Sequence, residues 1–265
     1  MPPREWLRNK PAAVTPVGSP MIDNDAVNNR PTLAQTFEQV GTGARFNVVV
    51  NHFKSKGCGG ATGLDADLGD GQSCFNETRS LQAQQLNAFI NSVVIPTSAD
   101  GDVLVIGDLN SYLKEDPILL LESFGFTNLL NSFGNDPYSY VFFGQSGSLD
   151  HALATSVMAA QVVNVTEWHI NGDEPSVVDY NLEFKSNAQD AWNVGTPYRS
   201  SDHDPVVIDL DLANRPATPT PIGVSLSLNP IFKWSQVADA EYYGLWLSKG
   251  ANNLLNAWYY FGDVC

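Results

Sequence analysis

Positive charge is the scarcest feature of this sequence. Its 265 residues include 14 Lys and Arg against 29 Asp and Glu, which gives a formal net charge of −15. So acidic a chain does not present a broad basic surface, which excludes proteins that hold nucleic acid tightly along an extended cationic face. The acidity is compatible with a protein that binds cations.

Long apolar runs are also missing. No stretch reaches the roughly 18 consecutive apolar residues of a membrane-spanning helix. The first ten residues lack the apolar segment of a signal peptide. We therefore predict neither a membrane span nor a leader within this chain. Hydrophobic residues still make up 43% of the total, which is enough for a packed core and excludes a disordered protein.

Cysteine is nearly absent, and its odd count leaves at least one residue without a partner in the chain. The three cysteines are Cys58, Cys74 and Cys265. Cys58 and Cys74 flank a loop rich in Gly and Asp. A disulfide between them would stabilise the fold by about 3 kcal/mol and would indicate an oxidising compartment. Two free thiols remain the alternative.

Apolar patterning predicts strands that alternate with helices. Buried strands are predicted at 45–50 and 103–106, and two more strands at 148–154 and 205–212. A helix is predicted over 78–94 and ends at Pro96, whereas the Pro-rich residues 11–20 are predicted to be an extended loop. A short helix begins with Asp116 as its N-cap. This alternation predicts a layered α/β fold.

A Pro/Thr-rich linker at 213–223 divides the chain. Residues 10–212 are predicted to form the α/β domain, and residues 1–9 are a tail without a recognisable pattern. The aromatic, alternating segment 224–265 predicts a partial β-sandwich-like module. It is too short for a complete immunoglobulin-type sandwich, which needs about 100 residues.

Polar clusters follow or open the predicted strands, where sites collect in layered α/β folds. They are Asn51–Lys56, Gly107–Asn110, Ser148–His151 and Ser200–Pro205. Asp and Asn suit a hard divalent cation, and His suits proton transfer. Taken singly, each Asp is explained equally well by a turn or a cap, and a lone His is more often structural. The four together indicate a functional site.

In order and spacing these clusters resemble the endonuclease/exonuclease/phosphatase superfamily. The matching residues are His52 after a strand, Arg79 and Gln82 on a helix, Asp108 and Asn110 in Gly-Asp-x-Asn, Asp150 in Leu-Asp, and Asp202 and His203 in Ser-Asp-His. The motifs Asn-His-Phe-Lys-Ser-Lys-Gly and Arg-Ser-Ser-Asp-His-Asp-Pro look like those of secreted bacterial extracellular nucleases. The resemblance implies a layered α/β sandwich of the deoxyribonuclease-I-like type over 10–212. The early Asn and metal-binding Glu of that family have no counterpart, so the domain is expected to be incomplete at its N-terminus.

The resemblance also implies roles for single residues. His203 would be the general base that activates water, and Asp150 would orient its ring. Asp108 would position that water and, with Asp202, hold a metal ion. Asn110 would donate to phosphate oxygens, and His52 would contact the scissile phosphate.

Further residues are given supporting roles by the same resemblance. Arg79 is expected to brace the site, and Lys54 and Arg199 to bind substrate. His151 should be structural, since neighbouring residues of a strand point to opposite faces. His169 matches no motif and is expected to be at the surface or structural.

The expected cofactor is Mg²⁺ or Mn²⁺, and the expected substrate is DNA, with RNA left open. Secretion is implied by the resemblance. A sphingomyelinase-like lipid phosphodiesterase and a catalytically impaired binding or adhesion fragment are the alternatives. A lipid enzyme would use an exposed aromatic patch, for which the residues are Tyr138, Tyr140, Phe142 and Phe143. We expect these four to fill the core, although they could also stack on bases.

A separate acidic loop carries Asp65, Asp67 and Asp70 among glycines. Clustered carboxylates of this kind resemble a calcium loop, although the EF-hand register and its terminal Glu are missing. Structural Ca²⁺ is therefore one interpretation, and a solvated acidic turn is the favoured one.

Overall fold

The computed structural model describes residues 13–27, 30–134, 137–179, 186 and 197–212, and the backbone of 242–249 and 252–260. The strands up to residue 212 are β1 (Val14–Asp23), β2 (Thr32–Gln39), β3 (Arg45–His52), β4 (Val103–Asp108), β5 (Thr127–Asn128), β6 (Tyr140–Phe142), β7 (Gln145–Gly147), β8 (Asp150–Ala154), β9 (Val162–Glu167) and β10 (Val206–Leu210). The α-helices are α1 (Asn76–Phe89), α2 (Ile95–Ser98), α3 (Asp116–Ser123), α4 (Leu129–Phe133) and α5 (Ser156–Ala159). None of the helices among these residues is long and apolar enough to cross a bilayer.

A six-stranded mixed sheet with the order β1-β2-β3-β4-β8-β5 lies at the centre of the fold. Strands β3 and β4 are parallel, and the other neighbours are antiparallel. The register pairs His52 with Asp108 and Asp108 with Asp150. Three adjacent strand ends therefore carry three of the predicted site residues to one end of the sheet.

The two faces of the sheet bury alternating residues of the same strands, as the two-residue period of a strand requires. Val103 and Val105 belong to the core shared with the helices α1 and α3. Leu104 belongs to a second core, which includes residues of α4, α5 and the two-stranded β9–β10 sheet. These layers confirm the predicted α/β fold.

The prediction of an extended loop at 11–20 is wrong for most of that segment. Strand β1 begins at Val14 and pairs with β2 at the edge of the sheet. The pairing register shifts between Val17 and Met21, a stretch that contains Gly18 at φ 71° and Pro20. Edge strands and bulges tolerate proline because one side of an edge strand has no ladder to join.

The predicted helix boundaries need two corrections. Pro96 does not end the helical segment, because α1 passes through a π-helical turn, Ile90–Val94, into the short α2, where Pro96 lies in the first turn. The π-helical turn directly before Pro96 already interrupts the regular i→i−4 hydrogen-bond ladder, so the N–H that proline lacks is lost where the ladder is irregular. Helix α3 has Glu115 rather than Asp116 as its N-cap residue.

The C-terminal part of the described chain is an antiparallel hairpin of β11 (Tyr242–Lys249) and β12 (Asn252–Tyr260). The predicted linker at 213–223 lies outside the described residues. The division of the chain at this linker, with a β module over 224–265, stays a prediction.

Candidate active site

Asp108, Asp150 and His203 converge at one end of the central sheet. One ligand atom from each of the three lies within 4.8 Å of the others. Gly107 makes the close approach of β3 and β4 possible there, because a Cβ at this position would lie 2.0 Å from the carbonyl oxygen of Asn51. Its φ of 128° also favours glycine. The sequence predicted all three members of this cluster.

His203 is bound to Asp150 through a short hydrogen bond. Its Nδ1 lies 2.6 Å from Asp150 Oδ2, which also accepts a 2.7 Å hydrogen bond from the Ser139 hydroxyl. Burial acts to lower the pKa of His203, but the hydrogen bond and charge of Asp150, with the charges of Asp108 and Asp202, raise the pKa above its usual value. The imidazolium form is therefore stabilised at this position.

Asp108 lies between His52 and Asn110. The backbone N–H of Asn110 donates to Asp108 Oδ1 at 2.8 Å, and its side-chain Nδ2 donates to Oδ2 at 3.0 Å. Nδ2 also donates to the carbonyl of Phe53 at 3.2 Å. Asn110 thus uses its amide to hold Asp108, whereas the family resemblance implied a donor to phosphate.

His52 is the exposed member of this group. Its Nε2 lies 3.3 Å from Asp108 Oδ2. Burial, together with the charges of Arg30 and His203, lowers the pKa of His52 despite the opposing charge of Asp108. Burial and the charge of Asp150 raise the pKa of Asp108, against the backbone hydrogen bond from Asn110.

Asp202 lies outside the group of converging ligand atoms that Asp108, Asp150 and His203 form, and its role as a metal ligand stays a prediction. Its side chain is exposed, and its charge contributes to the raised pKa of His203. Lys54 places its Nζ 3.9 Å from the centre of the Phe75 ring. Arg199 donates from Nη1 to the carbonyl of Asn171 at 2.8 Å.

The prediction that four aromatic residues fill the core is wrong for Phe142 and Phe143. Their relative exposures are 53% and 93%. Three of the rings form a row that starts at the site. The distance between ring centres is 4.6 Å from His203 to Tyr140, 6.2 Å from Tyr140 to Phe142 and 4.4 Å from Phe142 to Phe143. We call Tyr140, Phe142 and Phe143 the aromatic row.

Asp204 is a buried residue that sequence reasoning missed. Its Oδ1 accepts hydrogen bonds from three consecutive backbone N–H groups, those of residues 170–172, at 2.8 to 3.0 Å. Its Oδ2 lies 3.0 Å from Nδ1 of His169, and its own N–H donates to the Ser139 carbonyl at 2.7 Å. Asp204 therefore anchors the loop that carries His203. The sequence feature that could have identified Asp204 is its position directly after His203.

The acidic loop does not gather its carboxylates as a calcium site would. In the described part of the chain, Asp65, Asp67 and Asp70 do not form a group of converging ligand atoms. Asp65 instead accepts from the N–H and hydroxyl of Thr78 in the first turn of α1. Asp67 and Asp70 accept backbone N–H groups two residues ahead. These contacts support the favoured interpretation of a solvated acidic turn, and calcium binding stays a prediction.

Arg79 and His151 are buried beside the site. The Arg79 side chain is fully buried and donates from Nε to Ser111 Oγ at 3.1 Å. His151 Nε2 lies 2.7 Å from the carbonyl oxygen of Ser111, and burial lowers the pKa of His151 to about 4. Cys58 and Cys74 form a disulfide across the glycine-rich loop.

No family model matches the chain, and no curated protein sequence matches it. It is similar to the catalytic domain of human Nocturnin with bound sulfate, at 16% identity and TM-score 0.40 over 57% of this chain and 50% of that domain. An endonuclease/exonuclease/phosphatase protein of Bacteroides vulgatus is 15% identical, with TM-score 0.44 over 76% of this chain and 67% of that one. D. rerio TDP2 with a single-strand DNA product is 14% identical, with TM-score 0.41 over 73% of this chain and 66% of that one. This chain spans about half the length of the Nocturnin domain.

Proposed function

We propose that this chain belongs to the endonuclease/exonuclease/phosphatase superfamily and hydrolyses phosphodiester bonds of nucleic acid with a divalent cation. The single observation that carries this proposal is the His203–Asp150 pair, 2.6 Å apart, beside the Asp108 carboxylate. A histidine with one nitrogen held by a carboxylate, next to a second acidic group, is an arrangement that activates water for attack.

His203 acts as the general base. Its Nδ1–H donates to the ionised Asp150, so Nε2 is free to take a proton from a water molecule. The hydroxide that results attacks phosphorus, the phosphodiester P–O bond breaks, and the leaving oxygen takes a proton from solvent. Asp150 stabilises the imidazolium, which agrees with the raised pKa of His203. Ser139 keeps the Asp150 carboxylate in place.

The donor set at the centre fits a hard divalent cation. Asp108 and Asp150 offer carboxylate oxygens, the ligands that Mg²⁺ and Mn²⁺ prefer. Burial and then the charge of Asp150 raise the pKa of Asp108, and a bound cation would offset the repulsion between the two carboxylates. When bound, such a cation neutralises phosphate charge. Asn110 orients Asp108 for this role, and His52 lies exposed next to it, where it can donate to a phosphate oxygen.

Nucleic acid is the substrate that the aromatic row favours. Its rings begin at the general base and continue to the exposed Phe143. A phosphate at His203 would bring its neighbouring bases near rings that can stack on them, worth about 1–3 kcal/mol per base. DNA is the expected form, with RNA as a second substrate. Lys54 and Arg199 are proposed to attract the phosphate backbone. The Cys58–Cys74 disulfide supports an oxidising, extracellular location.

The decisive experiment measures cleavage of supercoiled plasmid with Mg²⁺ or Mn²⁺ and with EDTA. Wild-type chain should nick the plasmid only with metal, and His203→Ala should lose about a thousandfold in rate. Glu38→Gln is the matched control, because Glu38 pairs with Arg45 on strands β2 and β3 and has no part in the site. Nicking by His203→Ala at the wild-type rate would refute the base assignment.

A lipid phosphodiesterase is the second candidate, and the exposed Phe142 and Phe143 are the observation that favours it. Vesicles with and without sphingomyelin separate the two enzymes. Release of phosphocholine from sphingomyelin, lost in Phe142→Ala/Phe143→Ala, with intact plasmid would favour the lipid enzyme. Plasmid or RNA binding without hydrolysis under every metal condition would favour a binding or adhesion fragment.

A further inference from the structure

A buried ion cluster joins the disulfide-closed loop to the chain that follows Asn110. Lys56 donates from Nζ to both carboxylate oxygens of Glu115, at 2.5 and 2.6 Å. Nη2 of Arg79 lies 3.9 Å from Oε2 of the same carboxylate. Glu115 is thus the anion shared by two cations, and all three side chains are largely removed from water.

The glycine-rich loop supplies further acceptors to this cluster. The Gln72 carbonyl accepts from Lys56 Nζ at 2.9 Å and from Arg79 Nη2 at 3.0 Å. The Cys74 carbonyl accepts from Arg79 Nη1 at 2.8 Å. Cys74 is itself one half of the disulfide with Cys58. The position of Arg79 therefore depends on this loop as well as on Glu115.

Arg79 connects the cluster to the candidate site through Ser111. Its Nε donates to Ser111 Oγ, and the carbonyl of Ser111 is bound to His151. Ser111 directly follows Asn110, whose φ of 48° is sparsely populated for a residue other than glycine. Asn adopts this left-handed conformation more readily than other residues with a Cβ, and the neighbouring Ser111, held by Arg79, helps to fix it here. Asn110 in turn makes both hydrogen bonds that orient Asp108.

We propose that Glu115 and Lys56 are positioning residues for the Asp108–Asn110 end of the site, and that they act through Arg79 and Ser111. A buried guanidinium needs compensation of its charge as well as hydrogen-bond acceptors. Without the Glu115 carboxylate, Lys56 and Arg79 face each other at the Gln72 carbonyl as like charges. Arg79 then shifts, and with it Ser111. The catalytic consequence of this proposal rests on the proposed function, whereas the structural consequence does not.

The structural consequence is tested by ¹⁵N–¹H spectra of the imidazole rings at one neutral pH. The chain has four histidines, so the spectrum is simple. In Glu115→Gln the Nε2 resonance of His151 should move, because its partner is the Ser111 carbonyl. The His169 resonance should stay in place, since its partner is Asp204. The control Glu38→Gln removes an exposed ion pair and should leave all four rings unchanged.

Lys56→Met is the second variant, because Glu115→Gln can fail to fold. It removes one buried cation, keeps the Glu115 charge, and should move the same His151 resonance by a smaller amount. A folded variant of either kind with an unchanged His151 resonance overturns the proposal. Failure of both variants to fold also overturns it, since the cluster would then serve folding rather than positioning.

The catalytic consequence is a selective loss of turnover. In Glu115→Gln, kcat should fall about tenfold with KM within about twofold, because the cluster supports Asp108 and does not contact substrate. A raised KM with unchanged kcat would contradict this placement. If wild-type chain hydrolyses no phosphodiester, the proposed function fails, while the imidazole spectra still decide the positioning role.

Discussion

The two ends of the candidate site are held by different kinds of contact. At the Asp150–His203 end, the Ser139 hydroxyl and the His203 ring both form hydrogen bonds with the Asp150 carboxylate. The aromatic row lies beside them. At the Asp108–Asn110 end, a buried guanidinium, backbone carbonyls and a disulfide-closed loop support the chain. The first end is held by hydrogen bonds between side chains, and the second is held by contacts from the interior of the fold.

Two histidines make the comparison sharper. His151 and His203 both lie close to Asp150, yet the pKa of His151 is lowered to about 4 and that of His203 is raised. Burial dominates at His151, whose partner is a neutral carbonyl. Burial also acts to lower the pKa of His203, but the hydrogen bond and charge of Asp150, with the charges of Asp108 and Asp202, together outweigh it. The environment, rather than the residue type, decides which of the two imidazoles favours the neutral form and which favours the protonated form.

The largest effect is expected from Asp150→Asn. The rate of phosphodiester hydrolysis should fall by about a thousandfold, because the amide no longer stabilises the imidazolium or selects its tautomer. Without the Asp150 charge, burial leaves the pKa of His203 lower, so the acidic limb of the pH–rate profile should move to lower pH. An acidic limb at the wild-type position would contradict the role assigned to this hydrogen bond.

A smaller effect is expected at the buried end, on stability rather than on rate. The folded state favours neutral His151, so its contribution is present above a pH of about 6.5 and is lost as the pH falls toward 4. The shift to about 4 corresponds to about 3 kcal/mol. Urea unfolding of wild type and His151→Gln between pH 7 and 4 measures it. Equal pH slopes in the two proteins would show that His151 contributes nothing.

The smallest effect separates two roles of Asn110, which holds Asp108 through its side-chain amide and adopts a left-handed backbone conformation. Asn110→Gly and Asn110→Ala both remove the amide that holds Asp108, and both should slow hydrolysis about tenfold or more. The alanine variant should in addition be less stable than the glycine variant by about 1 kcal/mol, because its Cβ opposes a left-handed backbone. Thermal unfolding of the pair isolates the backbone contribution. A more stable alanine variant would mean that this conformation is not retained.

Much of the fold could be predicted from local patterns. The apolar runs at 45–50 and 103–106 correspond to β3 and β4, because central strands that pack on both faces of a sheet read as nearly continuous apolar sequence, although Val50 of β3 is 44% exposed. Strand β1 was missed because an edge strand can contain Pro and Gly that otherwise indicate a loop. Glu115 was missed as a buried charge because its partners come from a loop far away in sequence.

The candidate site shows the same division. The motifs named Asp108, Asp150 and His203 as chemistry-bearing residues, and these are the three that converge. The sequence could not exclude Asp202 from that cluster, or show that the Asn110 amide is turned toward Asp108. Side-chain direction at a loop or strand end depends on the backbone conformation of that residue and on neighbours from other strands.

The sequence by itself determined which residue types are present, their order along the chain and the period of their apolar patterns, and so the layered α/β class. The tertiary structure alone decided which of them meet. His203 and Asp150 are 53 positions apart, and His151 and Ser111 are 40 apart, so their hydrogen bonds exist only once the sheet is assembled. The tertiary structure also decided where the few positive charges lie. Two of them, Lys56 and Arg79, are buried against Glu115, a placement that no local sequence pattern encodes.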